Sequence, residues 1–419
     1  MNNRKSTNGF VKHCLVLGLI GLLWSNAASA QIVGRYAHPV FDEVNTITEI
    51  PFSSAIRVGE TDPTTLYLDF YEPSGDTLSA RPLVITVFGG AFVAGSRDFV
   101  DMVAYCTRLA QHGYVTASID YRLLSLWHLS ASNIIRDGYM AAQDVSSAVR
   151  FFKANCEEYR IDTSRIFLLG NSAGSIAIFA EMFMGEEERP EETFEDPDLG
   201  PLHSSGYPEY ASFSPKVAGA ILHWGGVPDL DIIDSEEYRP LCMIHGTEDT
   251  TVPYDSGYCY SSYGSFMMPY MYGSHTIAAH LDDLGINDYE FHPFEGEEHA
   301  FYLNDFYQLI DEKFDTCFNI VRDFLLQHLN FPTSTLELPL QEIAIYPNPA
   351  SQTITIDGMA MLQDQPCRIR ITNVYGQEIV STTFTITHPS FDISNWASGL
   401  YLVQFEWDEG RLCKKFIKR

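Results

Sequence analysis

The segment 170–174 has the sequence Gly-Asn-Ser-Ala-Gly, which sets Ser172 between small residues on both sides. It follows an apolar run at 165–169 and precedes another at 175–182, so we expect a strand, a tight turn and a helix. A G-x-S-x-G turn in this context is typical of a nucleophile elbow, which exposes the serine hydroxyl at the carboxyl edge of a parallel sheet. The alternative is a glycine-rich loop in a dinucleotide-binding sheet, but the glycine spacing of that fingerprint is absent.

A serine nucleophile needs a base that takes its proton and a carboxylate that orients the base. In this fold the three residues follow the chain order Ser, acid, His. Asp249 lies just past a short apolar strand, and His299 lies in a loop at the start of the last helix, which is predicted over 303–329. Glu248 and His292 are the competing acid and base. We interpret His292, which alternates inside a strand pattern, as a packing or surface residue.

Two consecutive glycines, Gly89 and Gly90, follow an early strand predicted over 83–88. Glycines at this place free backbone N–H groups to point into a site. Together with the N–H of Ala173, they could stabilise the oxyanion of a tetrahedral intermediate.

These features resemble the α/β-hydrolase esterases, and most closely the carboxylesterase-like branch that includes feruloyl and acetyl esterases acting on plant or algal polysaccharide. The resemblance spans about residues 50–330 and is specific in combination. The stretches that carry it are 66–73, 89–92, 120–122, 142–144, 161–166, the elbow, and the loops of Asp249 and His299.

The resemblance implies oxyanion donors at Gly90, Ala91 and Ala173. The family usually has a histidine before the paired glycines, where this chain has Phe88. That histidine normally braces the loop, so its loss bears on loop geometry and rate and not on the reaction class. Asp144 is expected to be structural and to help hold the elbow region.

Strands and helices alternate along the first three quarters of the chain, which predicts an α/β fold with a mainly parallel sheet covered by helices. The predicted strands are 65–72, 83–88, 114–120, 165–170, 217–224, 240–245 and 288–294. The predicted helices are 99–112, 134–157, 173–184, 274–284 and 303–329.

The stretch 254–272 has neither a helical nor a strand period and is rich in tyrosine and methionine among glycine and serine. Two interpretations stay open. It is a lid or cleft wall with aromatic faces for sugar or aryl groups, or it is a loop packed on the domain.

The chain has 55 acidic against 26 basic residues and a formal net charge of −29. Nucleic acid is therefore not expected as a partner, and neutral esters are favoured over anionic ones. The acidic run at 186–198 has the composition of a solvated insertion, with a metal site as the alternative. No H-E-x-x-H motif or paired C-x-x-C occurs, and the proposed chemistry needs no cofactor.

The first 30 residues have the pattern of a secretory signal peptide. Basic residues within 1–12 precede an apolar core at 14–24 and a small-residue cleavage site at 28–30. The mature chain is then expected to begin at Gln31, with an uncleaved anchor as the alternative. No second apolar stretch is long enough to span a bilayer. Export permits disulfides, but the pairing of the cysteines cannot be deduced.

The pattern of apolar and polar residues changes near residue 332, where a linker leads into short alternating strands. We expect a signal peptide at 1–30, an α/β-hydrolase domain at 31–335, a linker at 336–340 and a small β-sandwich at 341–419. The last segment holds 8 acidic and 7 basic residues, so nearly all the acidic excess lies in the hydrolase domain.

The tail resembles the C-terminal sorting domain of type IX secretion cargo in the stretches 346–350, 373–376, 399–403 and 414–419. The resemblance implies recognition by the secretion machinery, export across the outer membrane, and release or retention at the cell surface. A carbohydrate-binding β-module is the alternative that the strand pattern alone allows.

The sequence therefore predicts a secreted serine carboxyl-ester hydrolase acting on small or polysaccharide-linked esters through Ser172, His299 and Asp249. A serine peptidase of the prolyl-oligopeptidase type is a rival, against which the paired-glycine loop and the absence of a propeller-sized N-terminal region argue. A non-catalytic adhesin on a hydrolase scaffold is a second rival, against which the complete triad argues.

Overall fold

The computed structural model describes residues 34–124, 130–234, 238–261, 268–329, 344–357, 367–373, 377–384, 389–407 and 410–419. The chain divides into two compact units, Met1–Leu329 and Asn330–Arg419. The predicted signal peptide and linker lie outside the described residues, and the predicted domain boundaries stay predictions.

The first unit is built on a large sheet and a smaller one. Its strands are β1 (Val44–Ile56), β2 (Pro63–Pro73), β3 (Arg81–Val87), β4 (Val115–Ile119), β5 (Ile161–Asn171), β6 (Gly219–His223), β7 (Gly226–Val227), β8 (Leu241–Gly246), β9 (Ser256–Tyr258), β10 (Tyr270–Gly273) and β11 (Tyr289–Phe294). The large sheet has the strand order β1-β2-β4-β3-β5-β6-β8-β11, and the three-stranded sheet has the order β7-β10-β9. Strands β1 and β2 pair antiparallel, as do β2 and β4, and every neighbouring pair from β4 to β11 is parallel.

The helices connect these strands as the alternation in the sequence predicted. They are α1 (Val100–Gln111), α2 (Ala131–Ala154), α3 (Ala173–Phe183), α4 (Ser274–Asp283) and α5 (Asp311–His328). Strands β3, β4, β6 and β8 are buried at every position, as expected of parallel strands covered on both faces. The predicted α/β fold is confirmed.

The prediction of the last helix was wrong at its start, because α5 begins at Asp311 and not at 303. The intervening residues form a turn that Asn304 closes, since its Oδ1 accepts the N–H groups of Phe306 and Gln308 at 2.9 and 3.0 Å. His299 therefore lies on a loop well before the helix.

Strand β1 was missed altogether. Most of its residues are partly or fully exposed, and its pairing with β2 contains two register shifts, so no regular alternation marks it in the sequence.

The described residues of the second unit form β-strands and turns, which confirms the predicted small β-domain. The strands are β12 (Ala344–Tyr346), β13 (Thr353–Asp357), β14 (Cys367–Asn373), β15 (Glu378–Phe384), β16 (Ser390–Asp392), β17 (Gly399–Trp407) and β18 (Gly410–Lys418). Two antiparallel sheets have the orders β12-β13-β16 and β15-β14-β17-β18. Alternate residues such as Ile354, Ile371 and Val403 point into a shared apolar core.

Candidate active site

The turn between β5 and α3 holds Ser172 in a strained conformation, with φ 50° and ψ −120°. Both flanking glycines are required by close approach. A Cβ on Gly174 would lie 2.1 Å from the carbonyl oxygen of Val87, and one on Gly170 would lie 2.7 Å from Cδ1 of Ile178. The Ser172 N–H donates to the carbonyl of His223 at 2.9 Å, which ties the turn to β6. The local sequence thus builds an elbow that presents the hydroxyl at the sheet edge.

The three predicted catalytic residues come together at the carboxyl ends of β5, β8 and β11. The Nε2 of His299 lies 2.9 Å from Ser172 Oγ, and its Nδ1 lies 2.7 Å from Asp249 Oδ2. A carboxylate can only accept, so Nδ1 carries the proton and Nε2 is left to accept the serine proton. The arrangement has the connectivity of a Ser-His-Asp triad.

Asp249 is held by further donors from its own loop. Its Oδ1 accepts the N–H groups of Thr251 and Val252 at 2.8 and 2.9 Å. Burial alone would raise the pKa of Asp249, but hydrogen bonds from His245 and His299 outweigh it and hold the pKa well below its usual range. The carboxyl is therefore ionised throughout the range in which a histidine base works.

The competing residues lie elsewhere. Glu248 is exposed and places only its backbone N–H inward, on the carbonyl of Glu297 at 3.0 Å. His292 lies on β11, where its Nε2 pairs with Glu290 at 2.9 Å. The structure brings Asp249 and His299 to the serine and leaves Glu248 and His292 outside the triad.

The predicted oxyanion loop follows β3 and has a left-handed backbone at three successive residues, with φ 124° at Gly90, 53° at Ala91 and 62° at Phe92. A Cβ on Gly89 would lie 3.0 Å from Ser172 Cβ, so the loop passes directly beside the nucleophile. Among the turn, loop and cap backbone hydrogen bonds of the described residues, none has the N–H of Gly90, Ala91 or Ala173 as donor. These groups are available to an anionic oxygen at the serine.

Phe88 takes over the bracing of this loop by packing. Its ring stacks on Tyr121 with centroids 4.3 Å apart, and the Tyr121 hydroxyl donates to the Phe88 carbonyl at 3.1 Å. A Cβ on Gly95 would lie 2.5 Å from the Phe88 ring, so the backbone at Gly95, later in the loop, also packs against Phe88.

A polar layer that the sequence did not reveal lies beneath the nucleophile. The Asp101 carboxylate accepts from Asn171 Nδ2 at 2.5 Å and from the Tyr302 hydroxyl at 3.0 Å. The Tyr302 oxygen in turn lies 3.2 Å from Nδ1 of His223. Burial raises the pKa of Asp101 to about 6, and burial lowers the pKa of His223 to about 3, so this histidine is neutral.

His245 was also missed. It is fully buried at the end of β8, and its Nε2 lies 3.2 Å from Asp249 Oδ2. Its place directly after the apolar residues 241–244 and four residues before Asp249 is the signal that could have identified it.

Ser172 opens into a cavity of about 250 Å³ that no charged side chain lines among the described residues. Part of its wall comes from the predicted aromatic stretch 254–272, through Cys259, Tyr260 and Met271. The described part of that stretch thus lines the cleft, although it also packs on the domain, where Met271 is buried. Other lining residues are Ile134, Ile135, Phe179, Met184, Val227 and Ile232.

Asp144 holds Arg122 in a buried ion pair at 2.9 Å, which is consistent with a structural role. The five cysteines of the described hydrolase unit, Cys106, Cys156, Cys242, Cys259 and Cys317, are free thiols.

Away from the triad, one group of potential metal ligands occurs among the described residues: Cys242, Glu290 and His292, with ligand atoms within 4.8 Å of one another. Glu290 already bonds His292, and its other oxygen accepts from Gln327 at 2.7 Å. Both carboxylate oxygens thus have hydrogen-bond partners without an ion. No helix in the described residues is long and apolar enough to cross a membrane.

Family models match both units of the chain. Residues 68–237 match the family described as BD-FAE, and residues 344–419 match the secretion system C-terminal sorting domain. These matches confirm the resemblance to the α/β-hydrolase esterases and the sorting-domain character of the tail. They also confirm the prediction of export to the cell surface or beyond it.

Similar proteins with curated names are hydrolases of esters. Ethyl acetate hydrolase of Pseudomonas putida is 29% identical over 148 residues, which cover 35% of this chain and 40% of that protein. Secreted lipase 1 of Botryotinia fuckeliana is 26% identical over 136 residues, covering 31% of this chain and 23% of that protein. The chain thus spans well under half the length of these relatives. A propionate-bound esterase structure from Thermogutta terrifontis is 20% identical, covers 67% of this chain and 96% of that one, and has a TM-score of 0.47.

Proposed function

We propose that this protein is an exported serine carboxyl-ester hydrolase that cleaves neutral esters through an acyl-enzyme. The observation that carries the proposal is the continuous hydrogen-bonded chain from Ser172 through His299 to Asp249, at the mouth of an uncharged cavity. The BD-FAE match and the ester-hydrolysing relatives support the reaction class.

In this mechanism Ser172 Oγ attacks the ester carbonyl carbon while its proton passes to His299 Nε2. Asp249 keeps the His299 ring in the required tautomer and stabilises the imidazolium that forms. The backbone N–H groups of Gly90, Ala91 and Ala173 receive the oxyanion. The tetrahedral intermediate collapses as His299 returns the proton to the departing alcohol oxygen. Water, activated by the same histidine, then releases the acid.

The cavity also bears on the substrate. Apolar side chains form most of its wall, so an uncharged acyl or aryl group gains free energy by entering it, whereas a charged group would lose its hydration without a partner. The net charge of −29 further disfavours anionic substrates. The alcohol part can be a small molecule or a polysaccharide. The sorting domain delivers the enzyme through the secretion machinery to such extracellular substrates.

The test compares the mature protein with Ser172→Ala and with Ser175→Ala as the matched control. Ser175 is a buried serine of the same helix whose hydroxyl donates to the His223 carbonyl at 3.0 Å. The panel contains p-nitrophenyl esters, methyl ferulate, acetyl-xylan and a prolyl p-nitroanilide, together with a fluorophosphonate label for the nucleophile.

We expect ester hydrolysis and labelling by the mature protein and by Ser175→Ala, and neither by Ser172→Ala. Activity of Ser172→Ala within about tenfold of the parent would rule out this nucleophile. Cleavage of the anilide alone would favour the peptidase, and a folded parent inactive on the whole panel would favour the adhesin.

A further inference from the structure

A second imidazole, His245, lies against the acid of the triad. It is fully buried at the end of β8, whereas Asp249 lies on the loop that follows. The Nε2 of His245 is 3.2 Å from Asp249 Oδ2 and 3.1 Å from the Val252 carbonyl, and its Nδ1 is 2.8 Å from Ser274 Oγ. Both ring nitrogens are therefore engaged.

These partners fix the tautomer of the neutral ring. A carbonyl and a carboxylate can only accept, so Nε2 carries a proton that it shares between Val252 and Asp249. In the neutral ring Nδ1 then accepts the hydroxyl proton of Ser274. The direction of every bond from Ser274 to Asp249 is thereby set.

The contact completes the support of the carboxylate. Backbone N–H groups hold Oδ1, while Oδ2 receives two imidazole N–H groups, one from His299 at 2.7 Å and one from His245. Without His245, only His299 would hold the Oδ2 atom of Asp249. His299 is the residue that Asp249 has to orient, so it cannot also serve as the fixed support. His245 gives that side an anchor on a buried strand.

The same ring connects the triad to the cavity wall. Ser274 is the first residue of α4 and directly follows β10, whose Met271 lines the cavity beside Ser172. Only glycine fits at position 273 of this junction, because a Cβ there would lie 1.8 Å from the Pro253 carbonyl oxygen.

We propose, resting on the proposed function, that His245 is a positioning residue for ester hydrolysis. It orients Asp249 toward His299 and links it through Ser274 to the wall of the cavity that Ser172 lines. It touches no substrate and exchanges no proton in the reaction. Its effect is on the fraction of time in which the triad is aligned, so its loss lowers kcat and leaves substrate binding nearly intact.

Two substitutions separate positioning from space filling. In His245→Gln the amide nitrogen takes the place of Nε2 and can still donate to Asp249. In His245→Asn the amide oxygen can take the place of Nδ1 and accept from Ser274, while the contact with Asp249 is lost. Both replace the ring by a smaller amide, and the thermal transition of each variant reports the packing that it loses. Exposed Glu248→Gln serves as the unperturbed neighbour.

We expect His245→Asn to lower kcat about 10- to 100-fold, as for loss of one hydrogen bond to a charged group, with KM changed less than about threefold. We expect His245→Gln to recover most of this loss, to within about threefold of the parent. Ser274→Ala, which keeps the ring and frees its orientation, should lower kcat about three- to tenfold. The rate of fluorophosphonate labelling should follow kcat in each variant.

Equal kcat values for the Asn and Gln variants with intact thermal transitions, or losses confined to KM, would overturn the proposal. If both variants fail to fold, unchanged kcat in Ser274→Ala overturns it instead. Failure of the proposed function itself is distinct, because the parent would then hydrolyse no ester and take no label at Ser172.

Discussion

The length of the acyl chain should control the rate strongly, because the serine opens into an apolar cavity of limited size. The cavity of about 250 Å³ has no charged residue in its described lining. At about 30 Å³ for each water-sized group, it accepts about eight methylene-like groups. We therefore expect kcat/KM to rise with chain length and to stop rising near an eight-carbon acyl group.

The slope of that rise follows from apolar burial. Each buried methylene contributes about 0.8 kcal/mol, which corresponds to about a fourfold increase in kcat/KM when it is realised in the transition state. From acetate to hexanoate four methylenes enter the cavity, so the expected gain is about 200-fold. A p-nitrophenyl ester series, corrected for the alkaline hydrolysis rate of each ester, measures it directly.

Gly138 allows the cavity itself to be altered. It lies on α2 and lines the cavity, and a Cβ there would meet only the Phe92 ring, at 3.5 Å. Gly138→Ala should therefore be accommodated and serve as the control. Gly138→Leu places four carbon atoms in the cavity and should shorten the optimal acyl chain by about three or four carbons. A flat or falling series from acetate upward would refute the reasoning, as would equal losses on all esters in Gly138→Leu.

Three further outcomes are expected. Asp249→Asn should lower kcat by orders of magnitude, about 10⁴-fold by analogy with the best-studied triad, whereas Glu248→Gln should change kcat little. The reverse result in steady-state assays would make Glu248 the acid. Burial raises the pKa of Asp137 to about 7 and that of Glu181 to about 8, so the folded protein retains protons that the unfolded chain releases near pH 4. Stability should thus fall as the pH rises from about 4 to 8, and Asp137→Asn and Glu181→Gln should flatten this slope in urea melts; a slope unchanged in both variants would contradict the assignment. A protein truncated to residues 31–335 should match the full-length rate on a small ester. The precursor without 336–419 should stay in the periplasm of a native-type host. Loss of soluble expression or of rate in the truncated protein would show that the tail is part of the catalytic domain.

The sequence could predict that Ser172, Asp249 and His299 lie together because their placement is encoded locally. Ser172 lies in a motif whose glycines are required by contacts of 2.1 and 2.7 Å, and such contacts leave a strict pattern of small residues. Asp249 and His299 each lie in the loop that follows a parallel strand, β8 and β11 respectively, so the sheet brings them to one edge. Local pattern and topology together were sufficient for these positions.

Other features depended on contacts between segments far apart in the chain. The burial of His245 and its bonds to Asp249 and Ser274 arise only when β8 and α4 pack together. The cavity wall likewise combines α2, α3 and the stretch 254–272, none of which carries a polar motif that would reveal it. Residues 303–310 include apolar residues that suggested a helix, but the turn closed by Asn304 takes its place.

The strained serine explains why so much polar structure is buried beneath it. A non-glycine residue held at φ 50° and ψ −120° costs about 1–3 kcal/mol, which neighbouring elements must offset. The His223 carbonyl accepts the Ser172 N–H, and the side chain of Asn171 is hydrogen-bonded to Asp101 at the start of α1. Strand β6 and helix α1 thus hold the backbone at the end of β5 from either side. Ser172 is stable in this conformation because the surrounding elements over-determine its backbone, and the cavity that it lines is left free for the substrate.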